Sequence, residues 1–484
     1  MIDDSDIDPH GIPDRRYGTT PATAPGPSGP QMLRAFTQIR RDPLQYLVDT
    51  SAQFGPVVQF PIPRPPSYLV SDASAARRVL TTHARGYDKQ TLQYSSLSLV
   101  TGEGLLTSDG EVWRRQRRLV QPAFHHEAIA AVGDHVAAAL DRLDERWTQL
   151  PPRGAILDVD EIIMRTTLEV VGSSLFGTDL AGDAHRLTEA TLSALDVVVA
   201  RARVPITPPG WVPTPSNRRL QQAVRTLDEA VAGILAERRA ETPGHRRADM
   251  LDLLLAPDDE GDVLSPTEIR DQVVTFIVAG HETVASALTW ALWLVSGDDA
   301  FAQRLQDEAV AVLGDGAPRV EDVRRLPYAR AVLDEAMRLY PPAWLVTRRA
   351  READVLGGRV IPEGALVILS PYLVHRDPKV WADPDRFDPD RFAGGLPRGG
   401  DAAAAYWPFG AGPRLCIGRE FALLEGVLLL AGLARRVRFA RDRGIAPPRA
   451  VPLVTIRPES GMPLAVSRLD GRSPAVPTSP PPAM

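Results

Sequence analysis

Cys416 is the single cysteine in a chain of 484 residues. One thiol excludes an intrachain disulfide framework and every zinc or iron–sulfur site that needs several cysteines. Single-thiolate chemistry remains. Cys416 lies in the run Phe409-Gly410-Ala411-Gly412-Pro413-Arg414-Leu415-Cys416-Ile417-Gly418, where a tight loop is predicted to enter a helix. The positive end of a helix dipole and free backbone N–H groups would favour thiolate over thiol there, and a thiolate ligates metal. Gly412 and Gly418 would let backbone approach the sulfur, Phe409 would shield it, and Arg414 offers a guanidinium to an acidic ligand group. An unpaired cysteine is usually a small buried hydrophobe. However, Phe409, Gly412, Arg414, Cys416 and Gly418 at these offsets arise by chance in roughly one such chain in ten thousand, so a motif is the better explanation.

A second constellation, Ala279-Gly280-His281-Glu282-Thr283, falls on a long apolar helix. The capping box Ser265-Pro266-Thr267-Glu268 signals its start, and it is predicted to run to about Val295. It is long enough to span a bilayer, but His281 and Glu282 near its centre would be costly there, so a buried helix of a soluble protein is predicted. A third constellation, Glu335 and Arg338, precedes Pro341-Pro342 and then Pro389-Asp390-Arg391-Phe392. Trp113 and Arg117, four apart, share a helical face. Two look-alikes fail. The position four after His281 is Ala285, so a zinc-protease pattern lacks its second ligand, and Gly410-x-Gly412 is not followed by the third glycine of a dinucleotide fingerprint.

These motifs, in this order, resemble the cytochrome P450 family, whose hallmark Phe-x-x-Gly-x-Arg-x-Cys-x-Gly is filled at every fixed position. The resemblance covers roughly residues 30–470. It implies a non-covalent haem b with Cys416 as the metal ligand. Contacts to the cofactor are implied for Trp113, Arg117, Ala279, Arg348, Phe409, Gly410, Arg414, Cys416 and Gly418, with Arg349 adjacent to Arg348 as a competitor. Glu282 and Thr283 are implied as the catalytic proton-relay pair, beside a Gly280 that makes room through a local loosening of the helix. Glu335, Arg338 and Arg391 are implied to form a buried structural triad, with Asp390 in place of the more usual glutamate.

The activity implied is a haem-thiolate monooxygenase oxidising a lipophilic small molecule with O2 and two electrons. Some 68 residues follow Cys416, too few for a reductase domain. Electrons are therefore expected from a ferredoxin or flavodoxin with its NAD(P)H-dependent reductase, docking near Arg114, Arg115, Arg118 and Arg419. The pocket is expected to be lined by the 90–106 segment, the 195–215 region, Phe276, Ala279, Leu345, Val346 and the turn at Gly461-Met462. A peroxide-driven peroxygenase and a non-catalytic haem-based gas sensor are the alternatives, and neither would need the Glu282/Thr283 relay.

The elements that must position these residues follow from composition and pattern. With 44% hydrophobic and 24% charged residues the chain should fold compactly, and a net charge of −6 weighs against a nucleic-acid partner. The fold class expected is mainly α, the cytochrome P450 fold, with a large helical body and a smaller β-rich lobe. Residues 31–470 would form one domain, between disordered tails at 1–30 and 471–484. The early part reads as β-rich, with strands at Val57 to Phe60 and Ser67 to Val70. Helices should dominate from about 113 to 340, interrupted by a proline-dense loop, Pro205 to Pro215, that exposes Trp211. Short strands should follow Pro342, and a last helix should run from Cys416 to about Arg436. No basic stretch followed by an apolar run opens the chain, so the reading is a cytoplasmic monomer without a membrane anchor.

Overall fold

The structure, a computed structural model, describes residues 23–469 except 62–65, 126–128, 152, 181, 203–207, 241–248, 258–260, 397–398, 400–402 and 443. The 471–484 tail and most of the 1–30 tail lie outside the described residues. From Thr23 on, the chain is packed against the first strands. Thr23 Oγ1 lies 2.6 Å from the Tyr68 hydroxyl, and Gln59 N–H donates to the Pro25 carbonyl at 2.9 Å.

The chain begins with helices α1 (Gly29–Arg41) and α2 (Pro43–Phe54). Strands β1 (Val57–Phe60) and β2 (Ser67–Val70), helix α3 (Ala73–Arg77), strand β3 (Tyr87–Asp88) and helix α4 (Leu92–Thr101) follow. Both predicted strands form, but helices occupy more of this region than a β-rich reading allows. The reason lies at the helix starts. Ser28 and Asp42 accept the N–H groups of Gln31 and Gln45, and a proline occupies the first turn in each case.

The helical body comprises α5 (Gly110–Val120), α6 (Val132–Trp147), α7 (Val159–Phe176), α8 (Ala184–Ala202), α9 (Pro215–Ala240), α10 (Met250–Leu255), α11 (Pro266–Val295), α12 (Asp299–Leu313) and α13 (Pro327–Leu339). Strand β4 (Ala155–Asp158) leads directly into α7, where Asp158 caps the helix by accepting from Asp160 N–H at 3.0 Å. In the proline-dense loop Trp211 is 83% exposed, while Pro205 lies outside the described residues. Helix α11 begins as predicted: Glu268 N–H donates to Ser265 Oγ at 3.2 Å, and Ser265 N–H donates to Glu268 Oε2 at 2.8 Å. It is long and apolar enough to cross a membrane, yet 83% of its apolar window is buried inside the protein. It packs most extensively on α7, then on α13 and the closing helix Arg419–Arg436. A helix apolar on every side is stable in water only in such a setting.

The β lobe is completed by β5 (Val346–Ala350), β6 (Asp354–Leu356), β7 (Arg359–Ile361), β8 (Leu366–Leu369) and the short helix α14 (Pro371–Val374). Strands β1-β2-β8-β5-β3 form one sheet in that order, antiparallel except for β2 and β8. Beyond the closing helix come β9 (Val437–Ala440), β10 (Ala450–Pro452), β11 (Ile456–Pro458) and β12 (Pro463–Arg468). β12 lies between β4 and β9, while β10 and β11 form a separate hairpin. The architecture is the mainly α body with a smaller β lobe that the sequence predicts.

The structural triad assembles as expected. Arg338, fully buried, donates to Glu335 through Nε at 2.6 Å and Nη2 at 2.9 Å, and Arg391 Nε lies 3.4 Å from Glu335 Oε1. Arg338 also donates to the carbonyls of His375 and Pro384, so its charge is satisfied by several acceptors at once. Asp390 turns outward to Arg304 at 2.8 Å, clear of the triad.

Candidate active site

The Cys416 loop is closed by its own backbone. Gly410 N–H donates to Trp407 O at 2.9 Å, Leu415 N–H to Gly412 O at 3.0 Å, and Cys416 N–H to Phe409 O at 3.0 Å. Gly410 and Gly412 take positive φ values of 71° and 67°, and a Cβ on Gly412 would sit 2.0 Å from the Leu80 carbonyl oxygen. Only glycine fits there. Cys416 faces a cavity of about 510 Å³. Burial pushes its thiol above the ordinary value, opposed by Gly418 N–H and by the charges of Arg117 and Arg419. A metal cation on the sulfur would hold the thiolate against that desolvation.

One wall of the cavity is cationic. The Arg414 guanidinium stacks 3.8 Å from the centre of the Trp113 ring, donates to Ser108 O at 3.1 Å and pairs with Asp109. Trp113 thus stacks on Arg414, while Arg117 Nη1 donates to Leu415 O at 2.9 Å. Alternation along β5 separates the two adjacent arginines. Arg348 lines the cavity and donates to the Tyr94 hydroxyl at 3.2 Å, whereas Arg349 pairs with Asp88 at 2.6 Å. Lys89 belongs to the same wall and was not singled out by any motif. Its Nζ donates to Leu106 O at 2.7 Å and lies 4.8 Å from the Tyr94 ring centre.

Burial lowers Arg414 to about 10 and pulls Lys89 well below its ordinary value, with Arg348 and Arg414 adding to the effect on Lys89. Burial would raise Asp109, but N–H donation from Lys89 and Gly110 together with Arg414 holds it below the usual carboxylate value. Lys89, Arg117, Arg348 and Arg414 therefore converge on a wall where Asp109 is the neighbouring carboxylate among the described residues. Such a surplus of buried and half-buried basic groups calls for anionic ligand groups. The two propionates of a haem supply them, and the thiol at Cys416 supplies an iron ligand, so the residues fit this cofactor.

The opposite wall is α11. Ala279, Gly280, Glu282 and Thr283 all line the cavity, as do Phe409, Gly410 and Gly418. The helix runs unbroken through Gly280, without the predicted loosening. Its backbone carbonyl at Ala279 instead accepts from Thr283 Oγ1 at 2.7 Å, back-bonding within the turn. A Cβ on Gly280 would meet Val171 Cγ2 at 3.1 Å, so glycine here serves the close approach of α7. Glu282 is 1% exposed, and its Oε1 accepts from Thr455 Oγ1 at 2.8 Å. Burial pushes its carboxyl group above the ordinary value, with Arg457 and Thr455 pulling the other way. Neither Thr455 nor Arg457 sits in a recognisable pattern; only the packing of the β10–β11 hairpin on α11 reveals them.

The remaining walls are mainly apolar, including Leu97, Leu105, Phe124, Val198, Phe276 and Leu345. The 90–106 segment, the 195–215 region, Phe276, Ala279, Leu345 and Val346 all contribute, as predicted. The Gly461-Met462 turn does not. Met462 N–H donates to Asp158 Oδ1 and its carbonyl accepts from Val159 N–H, each at 2.9 Å, which docks that turn on the start of α7. Leu453, Val454 and Thr455 line the cavity in its place. Of the surface arginines, Arg115 pairs with Glu268 and Arg419 with Glu420, Arg114 pairs with Glu111, and Arg118 is exposed.

The chain matches the family model "Cytochrome P450" over residues 24–463. It is 37% identical over 449 residues to cyclooctatin synthase of Streptomyces melanosporofaciens, covering 92% of this chain and 94% of that protein. It is 34% identical over 431 residues to cyclooctat-9-en-7-ol 5-monooxygenase of the same organism, covering 88% of this chain and 91% of that protein, and 34% identical over 432 residues to pentalenene oxygenase of Streptomyces avermitilis, covering 88% of this chain and 93% of that protein. Proteins of this family hold a non-covalent haem b through a cysteine thiolate, and Cys416 is the single cysteine available. With the cavity, its cationic wall and these matches in hand, the chain belongs to the cytochrome P450 family and is a haem-thiolate monooxygenase.

Proposed function

We propose that this monooxygenase oxidises a cyclic terpenoid in the cytoplasm, using electrons from a separate ferredoxin or flavodoxin and its NAD(P)H-dependent reductase. The carrying observation is the mainly apolar cavity between Cys416 and α11, where shape and a few polar groups must hold the substrate. The names of the relatives, pentalenene oxygenase and cyclooctat-9-en-7-ol 5-monooxygenase, support a terpenoid over a fatty acid.

Haem iron ligated by the Cys416 sulfur supplies the oxidising chemistry when O2 and two electrons are delivered. The chain's own residues do the rest. Arg117, Arg348, Arg414 and Lys89 would hold the propionates, with Trp113 supporting Arg414 by stacking, and Phe409 and Gly410 would cover the sulfur side. Leu97, Phe124, Val198, Phe276 and Leu345 orient the substrate and exclude water. Thr283 donates its own proton to Ala279 O, which leaves its oxygen lone pairs available to a donor in the cavity. Glu282 lines the cavity beside Thr455, and burial raises its carboxyl group above the ordinary value, which suits it to the role of general acid. Arg114, Arg115, Arg118 and Arg419 offer an electron-donor docking face on the Cys416 side.

Titration of the holoenzyme with cyclic terpene hydrocarbons and alcohols, and with fatty acids, tests the substrate class. A terpenoid should give the high-spin spectral shift and a product carrying one added oxygen in the presence of ferredoxin, reductase and NAD(P)H. A shift with fatty acids alone would overturn the class, and equal rates with peroxide alone would overturn the electron route.

A further inference from the structure

Two polar atoms in the lining of the apolar cavity have nothing to bond. Among the described residues, Thr275 Oγ1 and Gln93 Oε1 are buried without a hydrogen-bond partner and belong to side chains that line the cavity; no other buried orphan does. The remaining hydroxyls of the lining are satisfied within the protein. Thr283 donates to Ala279 O, Thr347 Oγ1 lies 2.9 Å from Thr91 Oγ1, Thr455 donates to Glu282, and Tyr94 accepts from Arg348. Buried polar atoms almost always find a partner, so two orphans in a ligand cavity call for one supplied by the ligand.

Thr275, 2% exposed, is held in place from both sides. It stands on α11 one turn before Ala279 and two before Thr283, and the three form one stripe along the cavity. A helical threonine commonly bonds its hydroxyl back to the carbonyl four residues earlier, as Thr283 does. Thr275 does not. Its Oγ1 rests against Gly104, where a Cβ would come within 2.1 Å of it, so glycine at 104 leaves the room that the hydroxyl occupies. The neighbouring residues of α11 fix that loop, because Asp271 accepts Glu103 N–H at 2.9 Å and Gln272 accepts Leu105 N–H at 3.1 Å. Gln93 lies on α4 one turn before Leu97, and the two share the face that lines the cavity.

We propose that Thr275 and Gln93 recognise a hydroxyl group already present on the substrate, so that the enzyme oxidises a cyclic terpenoid alcohol and not the parent hydrocarbon. The inference rests on the terpenoid reading and narrows it. A hydroxyl suits these two residues because it both donates, as Gln93 Oε1 requires, and accepts, as the Thr275 hydroxyl allows; a ketone could only accept. A hydrocarbon would leave both buried atoms unpaired, a penalty that discriminates more strongly than one more apolar contact. The rise of an α-helix puts Thr275 about 12 Å from Thr283 along the axis of α11. A substrate held by its hydroxyl at Thr275 therefore presents the far side of a fused ring system to the Thr283 turn, and the new oxygen enters at a carbon remote from the existing one. The reaction that supplies such a substrate is a carbocation cyclisation ended by water, or an earlier hydroxylation.

The test is spectral titration of the holoenzyme with matched pairs, each a cyclic terpene hydrocarbon and its alcohol. The alcohol should bind about tenfold more tightly or better, as one neutral hydrogen bond in a buried site implies. T275V and Q93M should each remove about tenfold of the alcohol affinity and leave the hydrocarbon affinity unchanged, and T275S should restore alcohol binding. Equal affinity within every pair, or an alcohol preference that neither variant moves, overturns the inference and leaves the terpenoid reading standing. If one variant alone moves the preference, the role of the other residue is overturned. No spectral shift with any cyclic terpenoid overturns the terpenoid reading, and this inference with it. Because the Thr275 hydroxyl bonds nothing in the protein, T275V should unfold at a urea midpoint no lower than that of the parent protein; a lower midpoint would make the hydroxyl structural and overturn its assignment to the substrate.

Discussion

Two walls of the same cavity are built in opposite ways. The Cys416 loop is mostly a local object: the backbone hydrogen bonds that shape it run between Trp407 and Leu415–Cys416, Arg117 and Arg414 tie it to α5 and the residues before it, and the Leu80 carbonyl forces glycine at position 412. The Glu282 face of α11 is assembled from afar. Glu282 accepts from Thr455, 173 positions later, and feels the charge of Arg457, which pairs with Asp160, 297 positions away. A local loop should fail as a unit when one backbone-critical position is changed, because its turn is set by bonds among a few neighbouring residues. An assembled face has redundant bonds, and should weaken by steps.

The sharpest break of that comparison is Cys416→Ser. It should abolish the Soret band that reduced, carbonylated, sulfur-ligated haem gives, and retention of that band would remove the basis for the site. Next in size, Glu282→Gln should lower product formation by about 100-fold, the lower end for loss of a positioned general acid, with haem content unchanged. A matching fall in haem content would mean that the face is structural and not catalytic.

Acidification probes both walls together. His281, on α11, is lowered to about 4 and His375, which accepts from Trp407 N–H just before the loop, to about 3, both from 6.5 and both chiefly by burial. Their folded-state values are depressed, so the unfolded chain binds more protons between those limits. Stability should be complete above pH 6.5 and fall as the pH drops toward 4 and then 3, by about 3 kcal/mol for His281 and about 5 kcal/mol for His375. Urea midpoints at neutral and mildly acid pH read this directly, and a flat profile would contradict the buried neutral imidazoles.

Two smaller effects separate the walls from each other. Gly412→Ala should cost about 2 kcal/mol or more in chemical denaturation, since it meets both a positive φ and the Leu80 carbonyl. Ser286→Ala should cost about 1 kcal/mol, because Trp290 still donates to the same Ile456 oxygen. If the serine change proved the costlier, the distinction between a local loop and a redundant face would not hold.

The same contrast explains what could be read without coordinates. The start of α11 was legible because Ser265 and Glu268 cap each other within four residues, and β1 and β2 were legible from short apolar runs. Helices α1 and α2 were not legible because their caps, Ser28 and Asp42, sit among prolines that also mark loops. The cavity lining near the C-terminus was placed at Gly461-Met462, when Asp158 in fact holds that turn and Leu453–Thr455 faces the cavity. No local rule distinguishes two neighbouring turns of a β-rich tail.

By itself, the sequence determined the family, the lone sulfur ligand, the capped central helix and the order of the motifs, because each depends on residues within one turn or loop of each other. Tertiary structure alone decided that Arg348 and not Arg349 faces the cavity, that Arg414 and not Arg117 stacks on Trp113, that Lys89 joins the cationic wall, and that Glu282 meets Thr455 beside the Arg457–Asp160 pair. Those choices turn on which strand face is buried and on which distant segments meet in a low-dielectric interior, where the energy of a charge depends on neighbours that the linear order does not name.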